Sequence, residues 1–172
     1  MNKIFGVIAA TVLAFSFLSS AQAKPIEAPK ETKVERFIVK NDGGGSVKDF
    51  MAALSYMKKN DMKVRLEGYC ASACTLLLST DYNIDVCVTP DVKLGFHSPY
   101  YSSGFGIISH KLLHVVEAER MWREDFYAKY PEWTKTMIDA AGGVPSVNKG
   151  AKPDEVLWLS YPEIRTYIKT CI

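Results

Sequence analysis

The chain has almost no net charge. Its 172 residues hold 21 Lys and Arg against 19 Asp and Glu, a formal charge of +2, and no stretch gathers the basic residues into a patch. A nucleic-acid partner would have no electrostatic hold on it. Long apolar runs are also scarce. The one present, Ile4 to Leu18, is too short and wrongly flanked for a stable membrane span, so no stable membrane insertion is expected. Histidine is limited to 3 residues, and no His-Glu-x-x-His occurs. Internal repeats and low-complexity tracts are missing too.

What surrounds the apolar run explains it. Lys3 supplies a positive start, and Ser19-Ser-Ala-Gln-Ala23 ends in an Ala-x-Ala pattern. Residues 1–23 are therefore expected to be a secretory signal peptide, cleaved near Ala23, and the protein to be exported to a periplasm or beyond. Residues 24–35, with Pro25, Pro29 and several charges, are expected to be a flexible lead-in. Residues 36–172 suit a single domain.

An exported chain with an even number of cysteines is expected to hold disulfides. Cys70, Cys74, Cys87 and Cys171 allow three pairings, and the sequence does not choose among them. Cys70–Cys74 with Cys87–Cys171 is the preferred set. A zinc site ranks below it, because the Cys70/Cys74 spacing has no matching second pair.

The expected elements alternate. Arg36 to Asn41 reads as a strand that ends at Gly43-Gly-Gly45. Val47, Phe50, Met51, Leu54 and Met57 mark one face of a helix over 46–60, with Ser46 as its N-cap. Lys63 to Glu67 reads as a strand, and Ala71 to Ser79 as a buried helix. Asp85 to Thr89 and Lys93 to His97 read as two short strands, and Tyr100 to Gly106 as a loop. Helices are expected over 109–130 and 132–141, a loop over 144–153, and a short strand over 156–159. Ser160-Tyr-Pro-Glu163 is a capping box for a terminal helix. Strands alternating with helices argue an α/β fold with a parallel sheet.

Three pieces carry chemistry. Ser72, in Gly68-Tyr-Cys-Ala-Ser-Ala-Cys74, follows a strand and opens a helix, where free N–H groups gather. A serine hydroxyl needs a base, and His97 stands 25 residues on. Glycines ahead of the first helix can turn an N–H outward, as the second donor of an oxyanion hole requires. The plain structural readings are an N-cap serine, an edge histidine and an ordinary turn. Their joint order favours the chemical reading.

Gly44-Gly-Ser-Val47, Gly68 to Leu78, Pro90 and Leu94-Gly-Phe-His97 resemble the Clp protease proteolytic subunit and its exported relatives, in the ClpP/crotonase superfamily. The resemblance covers about residues 36 to 99, with an echo at Leu159 to Glu163. It implies a ClpP/crotonase-like spiral of ββα units. It implies Ser72 as nucleophile, His97 as base, and an oxyanion hole from the N–H groups of Gly44 and Ala73, with Gly43 as the alternative to Gly44. The position of the triad acid falls on Val156, which cannot orient an imidazole. Asp154 is then the expected acid, ahead of Glu155. The segment Tyr100 to Tyr130 departs from the family.

Two further groups are set aside. His110, His114 and Glu117 share a helix face that could bind a metal, but a solvated face is the preferred reading and no metal is expected. Trp122, Phe126, Tyr127, Tyr130 and Trp133 fit ordinary packing or a subunit interface better than a ligand groove. The expectation is thus an exported, ATP-independent peptidase that needs no cofactor and acts on a peptide or acyl substrate, with a homo-oligomer left open. The rivals are an acyl-ester hydrolase and a non-catalytic binding or assembly protein on the same fold.

Overall fold

A computed structural model describes residues 35–103 and 107–171. The expected signal peptide and nearly all of the lead-in lie outside the described residues. Strand β1 (Phe37–Asp42) leads through the glycine run into helix α1 (Val47–Lys59). Ser46 caps α1 as expected, accepting from the Asp49 N–H at 3.4 Å. The stripe read from the sequence turns Leu54 fully into the core, with Val47, Phe50, Met51 and Met57 against it.

Strand β2 (Lys63–Ala71) is longer than the five residues the sequence suggested. Gly68 does not end it. Instead Gly68 at φ +70 and Asn41 at φ +51 absorb a register shift between β1 and β2, and pairing resumes at Asp42↔Cys70. This irregularity carries β2 on to Ala71, directly before Ser72. The apolar stretch Ser72–Leu78 then forms a buried 3-10 helix. Its first turn is tightened by Thr75, whose hydroxyl donates to the Ser72 carbonyl three residues back at 2.6 Å.

Strands β3 (Asp85–Val88) and β4 (Lys93–Phe96) follow. The sheet has five strands, ordered β1-β2-β4-β5, with β3 also paired to β2. β1, β3 and β4 all run parallel to β2. The last strand, β5 (Leu157–Ser160), is antiparallel to β4, so the sheet is mixed rather than wholly parallel. Gly95 makes this pairing fit. A Cβ there would come within 2.7 Å of Trp158 and 2.8 Å of Ala71 and Val156.

The expected helix over 109–130 is shorter and broken. α2 (Leu112–Met121) passes into a π turn at Trp122–Phe126 and a 3-10 turn at Tyr127–Lys129, ending before Pro131. Ahead of it, Ser102 and Ile108 form an antiparallel bridge. α3 (Glu132–Ala140) and the single turn α4 (Tyr161–Ile164) complete the fold. Glu163 closes the expected capping box, accepting the Ser160 N–H at 2.6 Å. One apolar core joins Val64, Leu66, Leu94, Phe96, Tyr130, Ile138 and Ile164, and residues Val34–Ile172 form one compact unit. The fold is mixed α/β in a single domain.

Both preferred disulfides are present. Cys70–Cys74 spans Cα atoms 5.4 Å apart, and Cys87–Cys171 spans 5.0 Å. Such bonds fit an oxidising, exported compartment. Among the described residues, no helix is long and apolar enough to cross a membrane.

Candidate active site

The site pieces converge at one edge of the sheet. Gly43 and Gly44 follow the carboxyl end of β1, Ser72 that of β2, and His97 that of β4. These strands are parallel neighbours, with Asp42 opposite Cys70 and Ala71 opposite Gly95. In open α/β sheets, this edge is where ligands bind.

Ser72 is half-buried and adopts φ +56, left-handed backbone that a non-glycine residue rarely holds. The turn is over-determined. The Cys70–Cys74 bond closes around it, and the Ser72 carbonyl is held by Thr75. Thr75 in turn accepts from the Tyr130 hydroxyl at 2.6 Å, since its own proton is already spent on Ser72. Tyr130 is fully buried, and that burial pushes its phenol far above the ordinary value, so it stays neutral.

Gly44 packs against this turn. At φ +86, a Cβ on it would lie 2.7 Å from the Ala71 carbonyl oxygen, the Ala73 nitrogen and the Ser72 Cβ. Only glycine brings the backbone this close. Gly43, by contrast, faces open space. The Gly44 N–H itself donates to Asp42 Oδ1 at 2.7 Å, an Asx turn. It is therefore occupied in this structure. Ala73 is wholly buried in the first turn, where N–H groups lack intrahelical acceptors.

His97 is half-buried, and its Nδ1 bonds the Ser98 carbonyl at 2.9 Å. A carbonyl only accepts, so Nδ1 carries a proton, and in the neutral ring Nε2 is the lone-pair nitrogen. Ser98 is anchored by its N–H, which donates to the Pro145 carbonyl at 2.9 Å. Continuing the β4–β5 register past Phe96↔Leu157 sets Val156 opposite His97, and Val156 has no acid to offer. Asp154 and Glu155 are exposed in the turn before β5. Among the described residues, neither bonds His97, and no hydrogen bond joins His97 to Ser72.

Of the remaining candidates, His110 is exposed and the others have partners of their own. His114 bonds the Ser109 hydroxyl at 2.7 Å, and Glu117 pairs with Arg120 at 2.7 Å. Trp122, Phe126, Tyr127 and Tyr130 pack on one another and on the core, while Trp133 stacks on Tyr167 at 5.1 Å. Open clefts of about 590 and 610 Å³ lie elsewhere. One is lined by Leu77, Ile84, Trp133 and Tyr167, the other by Arg36–Ile38 and Asp61–Lys63.

Sequence reasoning missed three parts of the site. The Asp42-x-Gly44 spacing could have signalled the Asx turn. The Ser98 carbonyl carries no side-chain signal. Thr75 and Tyr130 are 55 residues apart and meet only through the fold. Comparison with protein-family models finds no match, and comparison with curated proteins finds none.

Proposed function

We propose that the chain is an exported serine hydrolase of the ClpP/crotonase kind, a peptidase working without an ATPase. Ser72 is its nucleophile and His97 its base. The observation that carries this is the φ of +56 at Ser72, at a strand-to-helix turn against which Gly44 is packed. Such backbone costs about 1–3 kcal/mol and persists where the surroundings over-determine it, commonly at active sites. A sharp turn of this kind lifts a nucleophilic serine clear of the strand end. In this reading the sheet is the core of a spiral of ββα units, supported by the parallel set β1, β2 and β4.

The Ser72 hydroxyl would give its proton to His97 Nε2 as Oγ attacks an acyl carbon. The Ser98 carbonyl keeps Nδ1 protonated and so keeps Nε2 available. The oxyanion would be met by the Ala73 N–H, and by the Gly44 N–H once Asp42 yields it. Asp154 is the proposed acid, and it would have to swing in from its exposed turn. Without it the pair acts as a dyad, at a lower rate. An ester substrate would use the same groups.

A binding or assembly protein is the second reading. It is favoured by the occupied Gly44 N–H and by a His97 that bonds neither Ser72 nor a carboxylate. Labelling with a fluorophosphonate probe separates the two. The serine-hydrolase reading expects the wild type to label and Ser72→Ala not to. Labelling that survives Ser72→Ala moves the nucleophile elsewhere, and a silent wild type favours the binding protein.

A further inference from the structure

Asp42 is the last residue of β1, and it stands opposite Cys70, two residues before Ser72. Its Oδ1 accepts the Gly44 N–H at 2.7 Å. That N–H belongs to the residue packed on the Ser72 turn, where a Cβ would lie 2.7 Å from the Ala73 nitrogen. The carboxylate oxygen therefore holds the place on Gly44 that an oxyanion would take. Two negative oxygens cannot share that donor, because their charges repel at such range.

The carboxylate is also open to a partner. Asp42 is half-buried, and among the described residues it enters no ion pair. The cations nearest it in sequence are engaged or offset. Lys40 pairs with Glu67 at 3.3 Å, and Lys48 stands beside Asp49 in the first turn of α1. Close packing on Ala71, Ser72 and Ala73 also seats Gly44, so the turn keeps a hold without Asp42.

We propose that Asp42 is a latch on the serine site, shut in this structure and drawn open by a cationic group of the substrate. The substrate class is then a peptide or ester with a lysine or arginine side chain beside the scissile carbonyl. The ammonium or guanidinium pairs with the carboxylate and turns it off Gly44. Ser72 Oγ attacks the carbonyl carbon and gives its proton to His97 Nε2. The carbonyl π pair moves onto the oxygen, which the Ala73 and Gly44 N–H groups now both meet. The leaving group departs with the His97 proton. Water, deprotonated by the same nitrogen, then releases the acid and Ser72 regains its proton. An uncharged substrate has only the Ala73 donor and reacts slowly. This deepens the serine-hydrolase reading and rests on it.

The test gives the disulfide-bonded protein a neutral fluorophosphonate and two esters, N-acetyl-lysine ethyl ester and its uncharged norleucine analogue. Asp42→Ala frees the Gly44 N–H and should label about tenfold faster than the wild type, within the roughly 10²–10³-fold that one oxyanion donor is worth. The wild type should cleave the lysine ester about tenfold faster than the norleucine ester, and Asp42→Ala should cleave both alike. Asp42→Asn keeps an oxygen for Gly44 but has no charge for the cation, so it should cleave both slowly. Near-UV circular dichroism checks that each variant keeps its fold. A merely structural Asx turn forecasts the reverse, with Asn as good as Asp and Ala worse. That ranking would overturn the latch, and so would a lysine preference that survives Asp42→Ala. In either case the wild type still labels and the serine-hydrolase reading stands. If neither the wild type nor Asp42→Ala labels, both fall together.

Discussion

Gly44 and Gly43 sit side by side in the sequence but answer to different surroundings. A side chain at Gly44 meets the Ser72 turn on three atoms, whereas Gly43 faces open space. Gly44→Ala should therefore abolish probe labelling and lower stability, and Gly43→Ala should do neither. Equal effects would return Gly43 to consideration as the oxyanion donor. His97 gives a second contrast. Where a serine protease relies on a buried Asp to orient its His, replacing that acid by its amide costs about 10⁴-fold. Here the Ser98 carbonyl shares with the proposed acid the task of fixing the tautomer, so Asp154→Asn should lower the acylation rate by less than that. A loss of the full size would place the Asp154 carboxylate on His97 in the working enzyme. A larger loss for Glu155→Gln would move the role to Glu155.

Elements were legible where local chemistry decides them. The α1 stripe, the Ser46 cap and the Ser160–Glu163 box all appear as read. Three elements were read in part, each because a distant contact intervenes. β2 runs through Gly68 by sharing a bulge with Asn41 of β1. β5 was read as a strand over 156–159, but its antiparallel pairing with β4, where Gly95 leaves room for Trp158, was not. The helix over 109–130 breaks where Trp122, Phe126 and Tyr130 turn into the core. Of the site, the order of Ser72, His97 and the glycines was visible, but the partners that hold them were not. The disulfides tie elements unequally. Cys87–Cys171 has a sequence separation of 84 and Cys70–Cys74 one of 4. In the chain-entropy model these loops are worth about 4.5 and about 2 kcal/mol. Urea unfolding should therefore show a larger loss for Cys87→Ser with Cys171→Ser than for Cys70→Ser with Cys74→Ser. The second pair should be the one that loses labelling.

For the whole molecule, Asp85 is one of five carboxyls among the described residues whose pKa the fold lowers, with Glu67, Asp91, Glu117 and Glu163, and it ties two distant segments. Its carboxylate joins the start of β3 to Arg36 at 3.1 Å and to Lys169 near the C-terminus. Burial opposes ionisation, but the bonds from Lys169 and Arg36 outweigh it and hold its pKa below the ordinary 3.8. A carboxyl lowered in the fold stabilises above its unfolded pKa and loses that contribution as pH falls through the folded one. Asp85→Asn should therefore destabilise at pH 7 and flatten the fall in stability below about pH 4. A parallel fall in both proteins would assign the acid sensitivity to other carboxylates.

The ring closed by Cys70 and Cys74 also dates the site. Its bond persists in oxidising compartments and not in a reducing cytosol. A chain still inside the producing cell would carry Ser72 on an open turn, free to leave its left-handed backbone. In the proposed reading, sealing that ring would complete the serine site only in an oxidising compartment.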